Sequence, residues 1–258
     1  MSKRKYTTLS ASHIIKTQQL LTKRITARFP DSGLRAVSEE LMDIAEAAAQ
    51  TATTIRQKAL GLRIGIGLIL VFALVLLVTL ITSVRARGNL SDALNFAQFA
   101  EAVLASTVFV GAAVLFLFSI ETRLKRRRAL SALHELRAFG HVVDMHQLAK
   151  DPEGILKRQP KISEVKDSTT HSLFELNRYL SYCTELLAIV SKIAAVYVQD
   201  FPDNTTVSAV EQVESLCARL AQKIWQKISI VERLMDEEKE REQKRDGVIE
   251  QPAPTPGV

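Results

Sequence analysis

Three of the five histidines in this 258-residue chain, His134, His141 and His146, fall within thirteen residues, with Asp144 and Met145 among them. Imidazole, carboxylate and thioether are metal ligands, and imidazole is the side chain that titrates nearest neutrality. At about 100° per residue on a helix, His134, His141 and Met145 share an arc of about 40°, flanked by Arg137 and Asp144, while His146 lies more than about 90° away. His134 and His141 are two turns, or about 10.5 Å, apart, too far to share an ion whose ligands sit near 2 Å. His141 with Asp144 or Met145 could supply two ligands, the rest coming from another helix or subunit. Glu135 follows His134, but Ala138 stands where an HExxH zinc motif needs its second histidine.

His134, His141, Asp144, Met145 and His146 are therefore weak metal candidates, and packing with hydrogen bonding inside a helical bundle is the preferred reading. A pH or ligand sensor lies between the two. No P-loop, nucleophile elbow, kinase signature or dinucleotide-binding glycine turn occurs. The expectation is a protein with no catalytic residues and no cofactor.

The elements that carry these residues begin with two apolar runs. Residues 64–84 and 102–120 contain no charge over 21 and 19 positions. As helices they rise about 28–32 Å, matching a hydrocarbon core of about 30 Å. The first run starts more than sixty residues into the chain and is followed by Arg85 and Arg87 instead of small residues, so it does not read as a secretory signal. Two spans follow, joined by a short loop over residues 85–101.

Arg56, Lys58 and Arg63 precede the first run, and Arg123, Lys125, Arg126, Arg127, Arg128 and Arg137 follow the second, against Arg85 and Arg87 between them. The excess of basic residues marks the cytoplasmic side, predicting both termini inside and the loop outside. The formal charge of +6 is concentrated in residues 1–63 (net +6) and 121–150 (net +4), whereas 151–258 carries a net of −4. Arg123, Lys125, Arg126, Arg127 and Arg128 are expected to face anionic headgroups, each worth about 1 kcal/mol there. Membrane apposition accounts for the basic balance, and no aromatic-interleaved platform argues for nucleic acid.

Residues 1–33 hold a basic amphipathic helix, with Ile14, Leu21, Ile25 and Phe29 on one face interrupted by Gln18, suited to a membrane surface or a partner. Residues 34–63 follow a heptad seam, Leu34, Val37, Leu41, Ile44, Ala48, Thr51 and Ile55, and with no breaker before the first span a rod from Leu34 to Val84 is expected. Residues 121–150 extend the second span and 151–167 form a linker. In 168–246, Leu173, Leu176, Leu180, Cys183, Leu187, Val190, Ala194 and Tyr197 keep three-four spacing. A turn at residues 201–204, with Asp203 or Asn204 as cap, leads to Val210, Val213, Cys217, Leu220 and Ile224. This is the pattern of an antiparallel, coiled-coil-like hairpin. Cys183 and Cys217 sit within the stripes as small core residues of a reducing compartment. Residues 247–258 are expected to form a disordered, Pro-rich tail.

The fold class expected is all-α: a two-span transmembrane hairpin with long cytoplasmic helical extensions and a C-terminal helical hairpin. The function expected is a non-enzymatic scaffold or interaction protein of a bacterial-type inner membrane, working through self-association or a protein partner. The alternatives are a metal- or pH-sensing module on 134–146 and an oligomeric channel or transporter subunit. The last is disfavoured because the spans contain no Asp, Glu, Lys, Arg or His.

Overall fold

In the computed structural model the described residues are 8–56, 60–86, 93–148, 150, 172–199 and 201–249. They form six α-helices and no strand: α1 Ala11–Arg28, α2 Gly33–Arg56, α3 Leu60–Ala86, α4 Ala93–Leu148, α5 Leu173–Gln199 and α6 Asn204–Ile249. The turn expected at 89–92, the linker 151–167 and the last residues of the tail lie outside the described residues, as do 57–59 in the middle of the expected rod.

The helix ends follow from local chemistry. Phe29 N donates to Ile25 O at 2.7 Å, and Pro30 then ends α1. Ser32 Oγ accepts from Arg35 N at 3.3 Å and caps α2. Ser172 and Glu175 form a reciprocal capping box at α5: Glu175 N donates to Ser172 Oγ (3.2 Å) and Ser172 N to Glu175 Oε2 (2.9 Å). Asp203 Oδ2 accepts from both N and Oγ1 of Thr206 at 3.1 Å, so Asp203 is the cap of α6.

The chain divides into two compact units, Met1–Ala52 with Leu130–Val258, and Thr53–Ala129. In the first, α5 packs against both α6 and α1. This is why α5 buries two stripes where its sequence advertises one. Leu173, Leu176, Leu180, Cys183, Leu187, Val190, Ala194 and Tyr197 are buried, and so are Tyr179, Tyr182, Leu186, Ile189 and Ile193. On α6 the buried line runs from Thr206 through Val210, Val213, Cys217, Leu220, Ile224 and Ile228 to Val231.

Helix α1 keeps its apolar face inside the protein. Ile14, Leu21, Ile25 and Phe29 are buried, the last edge-on to Tyr179 and Tyr182 at centroid separations of 5.6 and 6.2 Å. That face is consumed by α5 and α2, so the alternative of a face laid on the membrane surface is corrected to intramolecular packing. Arg24 grips Glu185 with both guanidinium amines (3.1 and 2.9 Å) and lies over the Tyr182 ring at 5.3 Å. The Glu185 hydrogen bond holds the Arg24 pKa above its ordinary value. With both side chains about half exposed, the ion pair contributes at most about 1 kcal/mol. On α2 the buried line is Leu34, Val37, Leu41, Ala45 and Ala48; Ile44 is only half-buried, and Ala45, one position on, takes its place in the line.

Two helices are long and apolar enough to cross a membrane, α4 from Ala100 onward and α5, and a shorter apolar stretch runs from Ile64 to Thr79 on α3. They differ in surroundings. None of the apolar window on α4 is buried, whereas half of that on α5 is. Glu175 and Lys192 on α5 are exposed, and Glu185 is paired to Arg24 of α1.

Candidate functional site

The end of α4 presents two opposed faces. Leu133, Leu136, Gly140, Val143 and Gln147, at intervals of three and four, are buried. A Cβ at Gly140 would stand 3.6 Å from Leu216 Cδ2 and 4.0 Å from Cys217 Sγ, so this seam lies on α6. His134, His141 and Met145 occupy the other side and are exposed, Met145 to 69%. Asp144, half-buried, accepts from Gln147 Nε2 at 2.7 Å. His146 turns to α2, where its ring lies against Gly33. The five metal candidates are thus not brought together, and among the described residues no three His, Cys, Asp or Glu side chains are grouped to hold an ion. The seam from Leu133 to Gln147 is the signal that assigns these faces, and its spacing was legible behind the histidines.

Buried polar chemistry lies elsewhere. Gln18 is fully buried on α1, its Nε2 donating to Ser38 O (2.8 Å), Ser38 Oγ (3.2 Å) and Thr22 Oγ1 (3.3 Å), while Oε1 has no partner. Lys227 Nζ donates to Gln147 O at 3.0 Å, and Lys150 Nζ lies 5.3 Å over the Tyr179 ring. Burial pushes the Cys183 thiol up to about 12, with Lys227 and Lys150 opposing more weakly. Burial, assisted by Glu214, takes Cys217 to about 11. Buried and protonated, such thiols are poor nucleophiles at neutral pH. A mostly apolar hollow between Ala11, Ile14, Ala45, Ala48, Ala49, Ile193 and Val196 has room for about a water and no polar side chain to hold one.

The second unit turns large apolar side chains outward. Leu68, Phe72 and Leu74 on α3 and Leu104, Phe109, Leu115 and Phe116 on α4 are all at least 60% exposed. Soluble monomers rarely expose contiguous apolar patches beyond a few hundred Å². Four threonines of this unit, Thr79, Thr82, Thr107 and Thr122, donate to carbonyls of their own helix at 2.8–3.1 Å. Lipid demands that arrangement and water does not. At the end of the apolar stretch, Lys125 is tied to Glu121 at 2.7 Å with both side chains about one-fifth exposed. Arg126 is half-buried, whereas Arg123, Arg127 and Arg128 are exposed.

No known protein family, curated protein or solved structure matches this chain.

Proposed function

We propose that the chain is a membrane-anchored helical scaffold of the inner membrane, in which α3 and α4 cross the bilayer and the remaining helices form a cytoplasmic bundle that acts by self-association or by docking a protein partner in assembly or signalling. The observation that carries this reading is the contrast between the units: the bundle encloses its own core, while Thr53–Ala129 turns large apolar side chains outward. Exposed apolar surface costs roughly 25 cal/mol per Å² in water and nothing comparable in lipid. Helix α5 is also long and apolar enough to cross, but it packs against α6 and α1 and half of its apolar window is buried.

In this reading both termini are cytoplasmic, α5 and α6 form the antiparallel coiled-coil-like hairpin, and no chemistry is catalysed. The exposed positions of His134, His141 and Met145 give no support to the metal-sensing alternative. Reporter fusions at Ser2 and Val258 test the topology. Both are expected to report the cytoplasm, with a tag inserted in 88–92 reached by an impermeant reagent from outside. A C-terminal fusion active on the external side would overturn the placement. Cross-linking in native membranes, followed by mass determination, reads out self-association and partner capture.

A further inference from the structure

We infer that α4 carries a binding site for a single anionic phospholipid, with Arg123 and Arg127 holding the headgroup phosphate and Phe109, Phe116 and Ile120 lining the acyl chain. The inference rests on the membrane reading above and deepens it. Five basic residues crowd the end of the apolar stretch, and the structure divides them. Lys125 is neutralised by Glu121, and Arg126 is half-buried. Arg123, Arg127 and Arg128 are exposed, with no ion pair to an acidic residue among the described residues; Arg123 and Arg127, one turn apart, share a face, whereas Arg128 lies about 100° round the helix from Arg127.

The azimuths place the two arginines in line with an apolar track. At about 100° per residue, Phe109, Phe116, Ile120, Arg123 and Arg127 share an arc of about 60°, with Glu121 and Lys125 on the other side of the helix. Phe109 is 78% exposed, Phe116 66% and Ile120 43%. Phe109 to Ile120 spans about 16 Å at 1.5 Å per residue, half of a hydrocarbon core of about 30 Å and so the depth of one leaflet. A ligand that fits has an acyl chain one leaflet long and a phosphate at its end. Two guanidiniums clamp a phosphate oxygen pair through charge-assisted hydrogen bonds, and a zwitterionic headgroup, whose own ammonium competes, is the poorer occupant.

The test uses the full chain reconstituted into phosphatidylcholine bilayers containing a minority of phosphatidylglycerol. Electron spin resonance of spin-labelled phosphatidylglycerol and phosphatidylcholine measures the preference for protein-bound sites. The wild type is expected to prefer phosphatidylglycerol. Each of Arg123→Gln and Arg127→Gln should lower that preference about five-fold, the equivalent of about 1 kcal/mol per basic residue near an anionic surface. Lys125→Gln, which removes a cation already paired, should leave it unchanged. Glycerol phosphate added to the buffer should not displace the labelled lipid. Equal loss with Lys125→Gln, no loss with the double arginine variant, or displacement by the soluble phosphate would each overturn the site. Alkaline extraction of every variant separates the two levels of inference. A chain that washes off the bilayer refutes the membrane reading, whereas one that stays inserted without lipid preference refutes only the site.

Discussion

The imidazole of His146 lies against Gly33, so that a Cβ at Gly33 would stand 2.5 Å from His146 Cε1 and 3.0 Å from Nδ1. Gly33 opens α2 and His146 stands in the last turn of α4, so the contact pins the start of one helix to the end of another. Gly33→Ala must displace a half-buried ring and is expected to destabilise the bundle by about 1–2 kcal/mol, the usual range for overpacking. In a His146→Ala background the same change should be neutral or slightly stabilising, since alanine is the better helix former. A double-mutant cycle by thermal melting reads the coupling; equal costs in both backgrounds would show that the ring does not set the glycine.

Gln18 tests how much the buried polar contact between α1 and α2 contributes. Ser38 Oγ and Thr22 Oγ1 lie 2.8 Å apart and remain a pair when Gln18 is removed, and Gln18 Oε1 is already without a partner. Gln18→Met, close in shape, should therefore stay within about 1 kcal/mol of the wild type. Gln18→Glu should cost several kcal/mol at pH 7 and less near pH 4, because burial raises a carboxyl's folded pKa and the penalty appears as pH climbs above the unfolded value of about 4.3. A pH-independent loss in the Glu variant would contradict this placement of the side chain.

The two thiols define an alkaline limit. Cys183 and Cys217 are raised to about 12 and about 11 from an ordinary 9, and Tyr197 to about 12 from 10, each chiefly by burial. Between pH 9 and about 12 the folded protein retains protons that the unfolded chain releases, so stability is complete below pH 9 and falls as pH rises through this window. Maleimide labelling at pH 8 should be negligible in the native protein and complete after denaturation. Fast native labelling of Cys183 would show that α5 is not enclosed.

On α5 and α6, Leu187 is fully buried, and Val231 is the last buried residue before a run of exposed charge. Leu187→Asp should abolish the cooperative melt of the bundle, since a large core side chain is lost and an unpaired carboxylate is buried in its place. Truncation after Met235 should leave the melting temperature within about 2 °C, because the exposed pairs Arg233–Glu237, Lys239–Asp236 and Arg241–Glu237 are worth little each. A large drop on truncation would place 236–249 in the core.

What the residues determine alone is local and periodic. The uncharged runs at 64–84 and 102–120, the three-four stripe from Leu173 to Tyr197, the stop at Pro30 and a cap at Asp203 or Asn204 need only side-chain chemistry and helical geometry, and each is visible in the string of letters. Which side of a helix faces what is a property of the assembled bundle. The stripe on α5 cannot announce that a second face, Tyr179 to Ile193, will close on α1, because a helix with two neighbours buries twice the arc that one seam requires. Gln18 breaks an apolar face on paper, yet it is buried because Ser38, twenty residues away, supplies its hydrogen-bond partners. The histidines between 134 and 146 look like a cluster because they are near in sequence. Only packing separates them, since the seam on α6 turns His134 and His141 outward and leaves His146 to Gly33.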